Sequence, residues 1–287
     1  EDIYKFEKPV KSYWESTIDT NNNYKTLDTD INTNVVVIGG GYTGLSCALS
    51  LVKKHNEDVV LLEAGHIGWG SSGRNAGFCC IPPAKMSVKK MFNKYGRTET
   101  KKFFQNTIEG SNFTKSIIKE YDIDCDLTGD SNFEVAPHPS YFENIKEEAE
   151  TYKKEFGIET EVFTREEFNE IGHGGNEQFG AMSYKPGFAI NPLKFLIGLA
   201  KAGNEAGVKI FQKSKVTKIE KVNGKYKIIS NNQIINANKI VMATNGFYKD
   251  DIFPKLNNMI LPVISNIIIT RPLTNEEIDS HNFITRN

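Results

Sequence analysis

The sequence predicts an α/β fold that carries an α+β insertion, and three observations predict it. A continuous run of β-branched residues, Val35-Val36-Val37-Ile38, leads into a cluster of glycines. An amphipathic helix and a second apolar run, Val59–Leu62, follow at once and complete a βαβ unit. After a long stretch of different character, another apolar run returns at residues 239–243.

Each element has its own local reason. Residues 1–33 read as a polar arm with aromatic anchors at Tyr4, Phe6, Tyr13 and Trp14. The run from Val35 suits a strand buried on both faces of a parallel sheet. Leu45, Ala48, Leu49 and Val52 make one face of the next helix. Residues 66–84 are rich in Gly, Ser and Pro and predict a long loop. Residues 87–121 predict a helix broken near Gly96, and residues 139–156 a second helix. Ser140 with Glu143, and Thr164 with Glu167, have capping-box spacing, and Gly172 closes the second of these helices. Strands are predicted at 133–136 and 180–184. Asn191-Pro192 opens a further helix as N-cap and first residue, and Gly207 ends it. A strand is expected at 208–211. Asn223-Gly224 then joins two strands as a hairpin, with a third possible partner at 233–236.

The domain reading follows from that order. Residues 34–84 and 191–260 form the α/β domain, 85–190 and 261–287 an inserted second domain, and 1–33 an arm. Composition limits the function. A net charge of −1 excludes nucleic-acid binding by bulk electrostatics, and interleaved Lys and Asp/Glu read as solvated faces. No apolar run approaches the ~18 residues that span a bilayer. The longest, residues 260–270, is interrupted by Pro262, Ser265 and Asn266. The acidic, polar start shows no secretory signal. Cys47, Cys79, Cys80 and Cys125 show no metal or CxxC spacing and predict reduced thiols in a cytoplasmic protein. The adjacent Cys79 and Cys80 read as small residues packed near a loop. The chain opens on Glu1 and stops at Asn287 without an evident closing element, which suggests a sequence cut at both ends.

Gly39-Gly40-Gly41-Tyr42-Thr43-Gly44 fits G-x-G-x-x-G in the context that motif demands: a buried strand before it, a helix after it, then a strand ending in an acid. Gly39 permits the tight turn, Gly41 lets the backbone approach a pyrophosphate, and Gly44 lets the helix pack close. The helix N-terminus offers N–H groups and partial positive charge to an anion. Glu63, 19 residues after Gly44, can accept hydrogen bonds from ribose hydroxyls. This is a Rossmann-type dinucleotide site. The motif alone leaves NAD and FAD open. The insertion of other material after one βαβ unit, and the later return to the sheet ending in Thr244-Asn245-Gly246, favour FAD.

The segment from Val35 to Ser46, with Glu63-Ala64-Gly65-His66-Ile67-Gly68-Trp69-Gly70-Ser71-Ser72-Gly73-Arg74-Asn75-Ala76-Gly77, resembles FAD-dependent amine oxidoreductases of the D-amino-acid oxidase family, most of all its γ-glutamylputrescine oxidase-like members. Ser12-Tyr13-Trp14, Asn191-Pro192, Leu261-Pro262-Val263 and Thr270-Arg271-Pro272-Leu273 add weaker matches. The resemblance implies cofactor contacts. Gly39, Gly41, Tyr42, Thr43 and Gly44 would lie at the pyrophosphate, and Glu63 and Ala64 at the adenosine ribose. Ser71, Ser72, Arg74, Asn75 and Ala76 would lie along the stretch toward the flavin. Val216 would meet the adenine through its backbone, and Thr244 and Asn245 would close over the cofactor. His66 and Trp69 read as loop residues packing nearby. The loop lacks the histidine by which some relatives attach FAD, so binding there is expected to be non-covalent. Members of the family run on beyond the length of this chain.

The implied reaction oxidises the C–N bond of a small-molecule amine or amino acid. A hydride passes from the α C–H to flavin N5, the imine hydrolyses, and oxygen is the expected acceptor. No side chain is singled out as catalytic, and no metal is expected. Two rivals stay open on sequence: an NAD(P)-dependent dehydrogenase, and a non-catalytic Rossmann fragment.

Overall fold

The computed structural model describes residues 5–8, 11–18, 24–81, 86–248 and 252–284. Tyr4, the asparagines at 21–23, the end of the loop predicted at 66–84, and the last three residues lie outside them. In chain order the elements are β1 (Ile31–Ile38), α1 (Tyr42–His55), β2 (Val59–Leu62), β3 (Phe78–Cys80), α2 (Val88–Glu120), β4 (Asn132–Val135), α3 (Pro139–Phe156) and β5 (Glu159–Phe163). There follow α4 (Arg165–Ile171), β6 (Ala181–Lys185), β7 (Gly187–Ala189), α5 (Pro192–Glu205) and β8 (Lys209–Phe211). The last are β9 (Val216–Val222), β10 (Lys225–Ser230), β11 (Gln233–Met242) and α6 (Asn275–Ser280).

The chain divides into two compact units. The first comprises Glu1–Ala76, Tyr121–Cys125 and Asn191–Ile268; the second comprises Gly77–Glu120, Asp126–Ile190 and Ile269–Asn287. These bounds differ from the sequence reading for local reasons. Residues 78–80 pair antiparallel with 187–189 as β3 and β7, which places them in the second unit. Residues 121–125 stay with the first: the Asn191 N–H donates to the Cys125 carbonyl at 2.7 Å. A Cβ on Gly198 of α5 would lie 2.3 Å from Ile123, so glycine there admits that side chain. The arm's last residues, 31–33, are already strand, in register with 235–237.

The first unit holds one six-stranded sheet in the order β8-β2-β1-β11-β10-β9. β8, β2, β1 and β11 run parallel, and β10 and β9 continue antiparallel. The hairpin turns at Asn223 and Gly224, both with positive φ, as the Asn-Gly pair demands. The segments predicted separately at 233–236 and 239–243 form a single strand. Asn236 and Asn238 interrupt its apolar pattern, yet they pair across the sheet. Asn236 Nδ2 donates to Asn32 Oδ1 at 3.0 Å, and Asn238 Nδ2 to Asn34 Oδ1 at 2.8 Å. Val36, Val60, Leu62, Ile228 and Ile235 fill one side of the sheet. Ile38 is level with both Leu62 and Met242. Three strands therefore end together, and whatever follows each of them meets at one carboxyl edge.

In the second unit β4, β6 and β5 form an antiparallel sheet. Phe104 of α2, Tyr152 and Ile145 of α3, and Met182 of β6 form its core. Gly96 carries non-helical φ 79° and ψ 163° inside α2, where the break was predicted. The capping box of α4 forms between Thr164 and Glu167, and Gly172 follows the last turn. The box predicted at Ser140 does not form. Pro139 takes the first helical position of α3, which makes His138 the N-cap, and His138 Nδ1 accepts from the Ser140 N–H. Among the described residues, no helix is long and apolar enough to cross a membrane.

Candidate functional site

The carboxyl edge of β1, β2 and β11 opens into a cavity of about 480 Å³, lined within the first unit. Close backbone approach builds its floor. Gly39 has φ +110°, and a Cβ there would stand 2.4 Å from the Ala243 carbonyl oxygen. A Cβ on Gly44 would stand 1.9 Å from the Gly39 oxygen. Helix α1 can approach the turn only because both positions lack a side chain. The helix starts at Gly41 without a side-chain cap of its own. The Tyr42 N–H instead donates to the hydroxyl of Ser72 at 3.2 Å, and a Cβ on Gly41 would lie 2.8 Å from the same oxygen. The start of α1 is therefore faced by a small polar group rather than closed by a bulky one.

Glu63 follows β2 and turns toward this floor. Its Oε2 accepts from the Gly40 N–H at 2.7 Å and its Oε1 from the Gly65 N–H at 2.8 Å. Burial pushes its carboxyl above the ordinary range, against the two backbone donors and nearby His66, which pull the other way. Each carboxylate oxygen has more than one lone pair, so a second donor can be accepted beside the backbone.

Of the residues singled out on sequence, Gly39, Gly41, Tyr42, Thr43, Glu63, Ala64, Ser71, Ser72, Val216, Thr244 and Asn245 line this cavity together. Gly44, Arg74, Asn75 and Ala76 do not. Gly44 lies beneath the floor. Arg74 stacks its guanidinium on the Trp69 ring, 5.1 Å from the centroid, and its pKa is lowered by burial. Asn75 Nδ2 donates to the Ser72 carbonyl at 3.0 Å, so it braces the loop. The Asn75 carbonyl accepts from Trp14 Nε1 at 2.8 Å. Trp69 lines the cavity and donates from Nε1 to the Lys8 carbonyl at 2.8 Å, and His66 Nε2 lies 3.5 Å from Glu15. Phe6, Lys215 and Phe247 also line it and were not singled out for it. They come from three separate stretches, and no motif spacing connects them. Cys47, Cys79 and Cys80 are free thiols, and Cys125 is buried. Among the described residues no cluster of His, Cys, Asp and Glu could hold a metal ion.

The residues present fit a dinucleotide cofactor such as FAD. The floor leaves no room for a Cβ at Gly39, a helix N-terminus faces the cavity, and a half-buried carboxylate held by two backbone donors stands at the end of the second strand.

Comparison with known proteins agrees with that chemistry. The chain is 29% identical to gamma-glutamylputrescine oxidoreductase of Escherichia coli over 93% of its own length and 62% of the relative's. It is 27% identical to the probable oxidoreductase OrdL of Haemophilus influenzae, over 96% of this chain and 64% of that one. The chain thus spans less than two thirds of these curated relatives. Among solved structures, glycine oxidase from Geobacillus kaustophilus superposes with a TM-score of 0.61 at 17% identity, covering 76% of this chain and 56% of the other. L-Amino acid deaminase from Proteus myxofaciens superposes with the same score at 20% identity, covering 78% and 47%. At those identities the likeness speaks for the fold. The sequence profile described as "FAD dependent oxidoreductase" matches residues 34–286, nearly all of the two units, and on that match this chain belongs to the D-amino-acid oxidase-like family of FAD-dependent oxidoreductases.

Proposed function

We propose that this chain is the FAD-holding part of an enzyme that oxidises the C–N bond of an amine or amino acid. The observation that carries the reading is Glu63, fixed by two backbone donors beside the Gly39–Gly41 turn at one carboxyl edge. Glu63 would accept the adenosine ribose hydroxyls, with Ala64 beside it. Gly39, Gly41, Tyr42, Thr43 and Gly44 would form the pyrophosphate turn, with Ser71 and Ser72 facing it. Arg74, Asn75 and Ala76 would support the loop that continues toward the flavin. The Val216 backbone would meet the adenine, and Thr244 and Asn245 would close the edge at β11. Binding would be non-covalent at this loop.

When bound, FAD supplies a hydride acceptor and passes the electrons on, with oxygen as the proposed acceptor. The chain's own part is to bind and orient: amides at the start of α1 for the diphosphate, a carboxylate for the sugar, apolar side chains to exclude water. The name of the Escherichia coli relative makes γ-glutamylated amines the first substrates to try. The cytoplasm is the proposed compartment, on cysteines whose spacing fits neither a metal site nor a CxxC pair.

The test is an absorption spectrum of the protein, expressed both as these 287 residues and with whatever sequence its gene adds. The expected result is a flavin band near about 450 nm that bleaches when the right amine is added without oxygen. A colourless protein that binds NADH but not FAD would overturn the reading.

A further inference from the structure

The N-terminal arm is not used by the reading above, yet it reaches the same cavity. Phe6 lines it, and its ring packs edge-on against Trp69 at 4.8 Å and against Phe247 at 6.3 Å, while Trp69 and Phe247 lie 5.6 Å apart. The three rings thus contact one another pairwise. The Lys215 ammonium sits over the Phe6 ring, 5.3 Å from its centroid. The Phe6 carbonyl lies 3.3 Å from where a Gly65 Cβ would be, two residues beyond Glu63. Phe6 therefore stands between the end of β2 and the start of β9, the two stretches assigned to ribose and adenine.

The arm is tied down on either side of this contact. Trp69 Nε1 donates to the Lys8 carbonyl at 2.8 Å. Farther along, Trp14 Nε1 donates to the Asn75 carbonyl at 2.8 Å, and Asn191 Nδ2 donates to Thr17 Oγ1 at 2.8 Å. A segment held only to cover apolar surface would need neither these bonds nor an aromatic ring in the lining of the cavity.

We propose that Phe6 is a cofactor-binding residue: the arm brings its ring to the adenosine end of the site, where it covers the purine of FAD and helps hold the cofactor. Trp69, Phe247 and Lys215 position the ring. A planar base gains from an aromatic face whatever its hydrogen-bonding edge, so the contact adds retention rather than choice of base. This rests on the FAD reading of the cavity.

The test compares wild type, Phe6→Ala and Phe6→Leu, with FAD and ADP as separate probes, followed by quenching of flavin fluorescence and by competition. ADP carries the adenosine half and no flavin. The expected result is that Phe6→Ala raises Kd about tenfold for FAD and by the same factor for ADP. Phe6→Leu keeps apolar bulk without an aromatic face and should also weaken both, and it serves if the alanine variant does not fold. The spectrum of fully bound FAD should not change. Folded variants that bind both probes as wild type does would overturn the proposal and leave the FAD reading standing. Loss of FAD affinity with ADP affinity unchanged would also overturn it, because the ring would then act elsewhere. Wild-type protein that binds neither probe would overturn both readings.

Discussion

The first unit buries Val36, Val60, Leu62, Ile228 and Ile235, whereas the second buries Phe104, Tyr152, Tyr184 and Met182. The difference follows from what each sheet must meet. β2 and the second half of β1 are fully buried, and mostly β-branched side chains fill that pleated surface. In the second unit helices lie beside three antiparallel strands, and large rings fill the wider gap: Phe104 and Phe156 stack with centroids 3.8 Å apart.

Polar groups diverge in the same way. The second unit satisfies its buried amide internally: Gln178 Nε2 donates to the Arg165 carbonyl and Asn169 Oδ1, and its Oε1 accepts from the Gly180 N–H. Burial raises the Tyr152 and Tyr184 hydroxyls, which keeps both neutral. The first unit instead gathers its turn amides and Glu63 at a cavity. One core is closed on itself, and the other leaves a rim of hydrogen-bonding groups for a ligand.

The strongest way to break this comparison is a pair of glycine replacements. Gly44→Ala sets a Cβ against backbone, 1.9 Å from the Gly39 oxygen, and helix α1 must leave the turn. A loss of about 4 kcal/mol or more is expected, read as a collapse of soluble yield or of the melting temperature. Gly96→Ala in the second unit meets nothing within 4 Å and costs only the strain of its backbone conformation, about 1–3 kcal/mol. Equal effects would show that the turn is not held by close packing. A step smaller in reach is Phe104→Ala, expected to cost about 3–5 kcal/mol. Chemical denaturation should register that loss, while FAD affinity of the folded fraction stays within about twofold of wild type. A parallel loss of affinity would mean the two cores are not separable.

The smallest expected effect concerns pH. Burial raises the Glu63 carboxyl in the folded, cofactor-free protein. Its contribution to stability is complete below the unfolded value of about 4.3 and is lost as pH rises through the raised folded value. The stability of wild type relative to Glu63→Gln should therefore fall across that window. Denaturation curves at a series of pH values check it, and a wild type that gains stability over Glu63→Gln as pH rises would contradict the raised carboxyl.

Much of this was legible in the sequence where a residue's demand is local. The β1–α1–β2 unit, the break at Gly96, the Asn223-Gly224 turn and the cap at Asn191 depend on neighbours within a few positions, so spacing alone exposes them. β3 with β7 could not be read, because each is a three-residue strand defined only by its distant partner. The unity of β11 was hidden because Asn236 and Asn238 look like breakers until Asn32 and Asn34 stand opposite them. His138 displaced the expected cap at Ser140 because Pro139 fixes where α3 starts. In the candidate site, the glycine turn and Glu63 announce themselves by order along the chain. Phe6, Lys215 and Phe247 reach the same cavity only through the fold.

The most direct measurement is a titration of cofactor-free protein with FAD, wild type beside Glu63→Gln. The glutamine keeps the size of the side chain but sets an amide donor where a charged acceptor stood. Saturable one-to-one binding is expected in wild type, weakened about ten- to hundredfold in the variant by loss of charged hydrogen bonds worth about 1.5–3 kcal/mol. No binding in wild type, or equal affinities in two folded proteins, would contradict the placement of the nucleotide at this carboxyl edge.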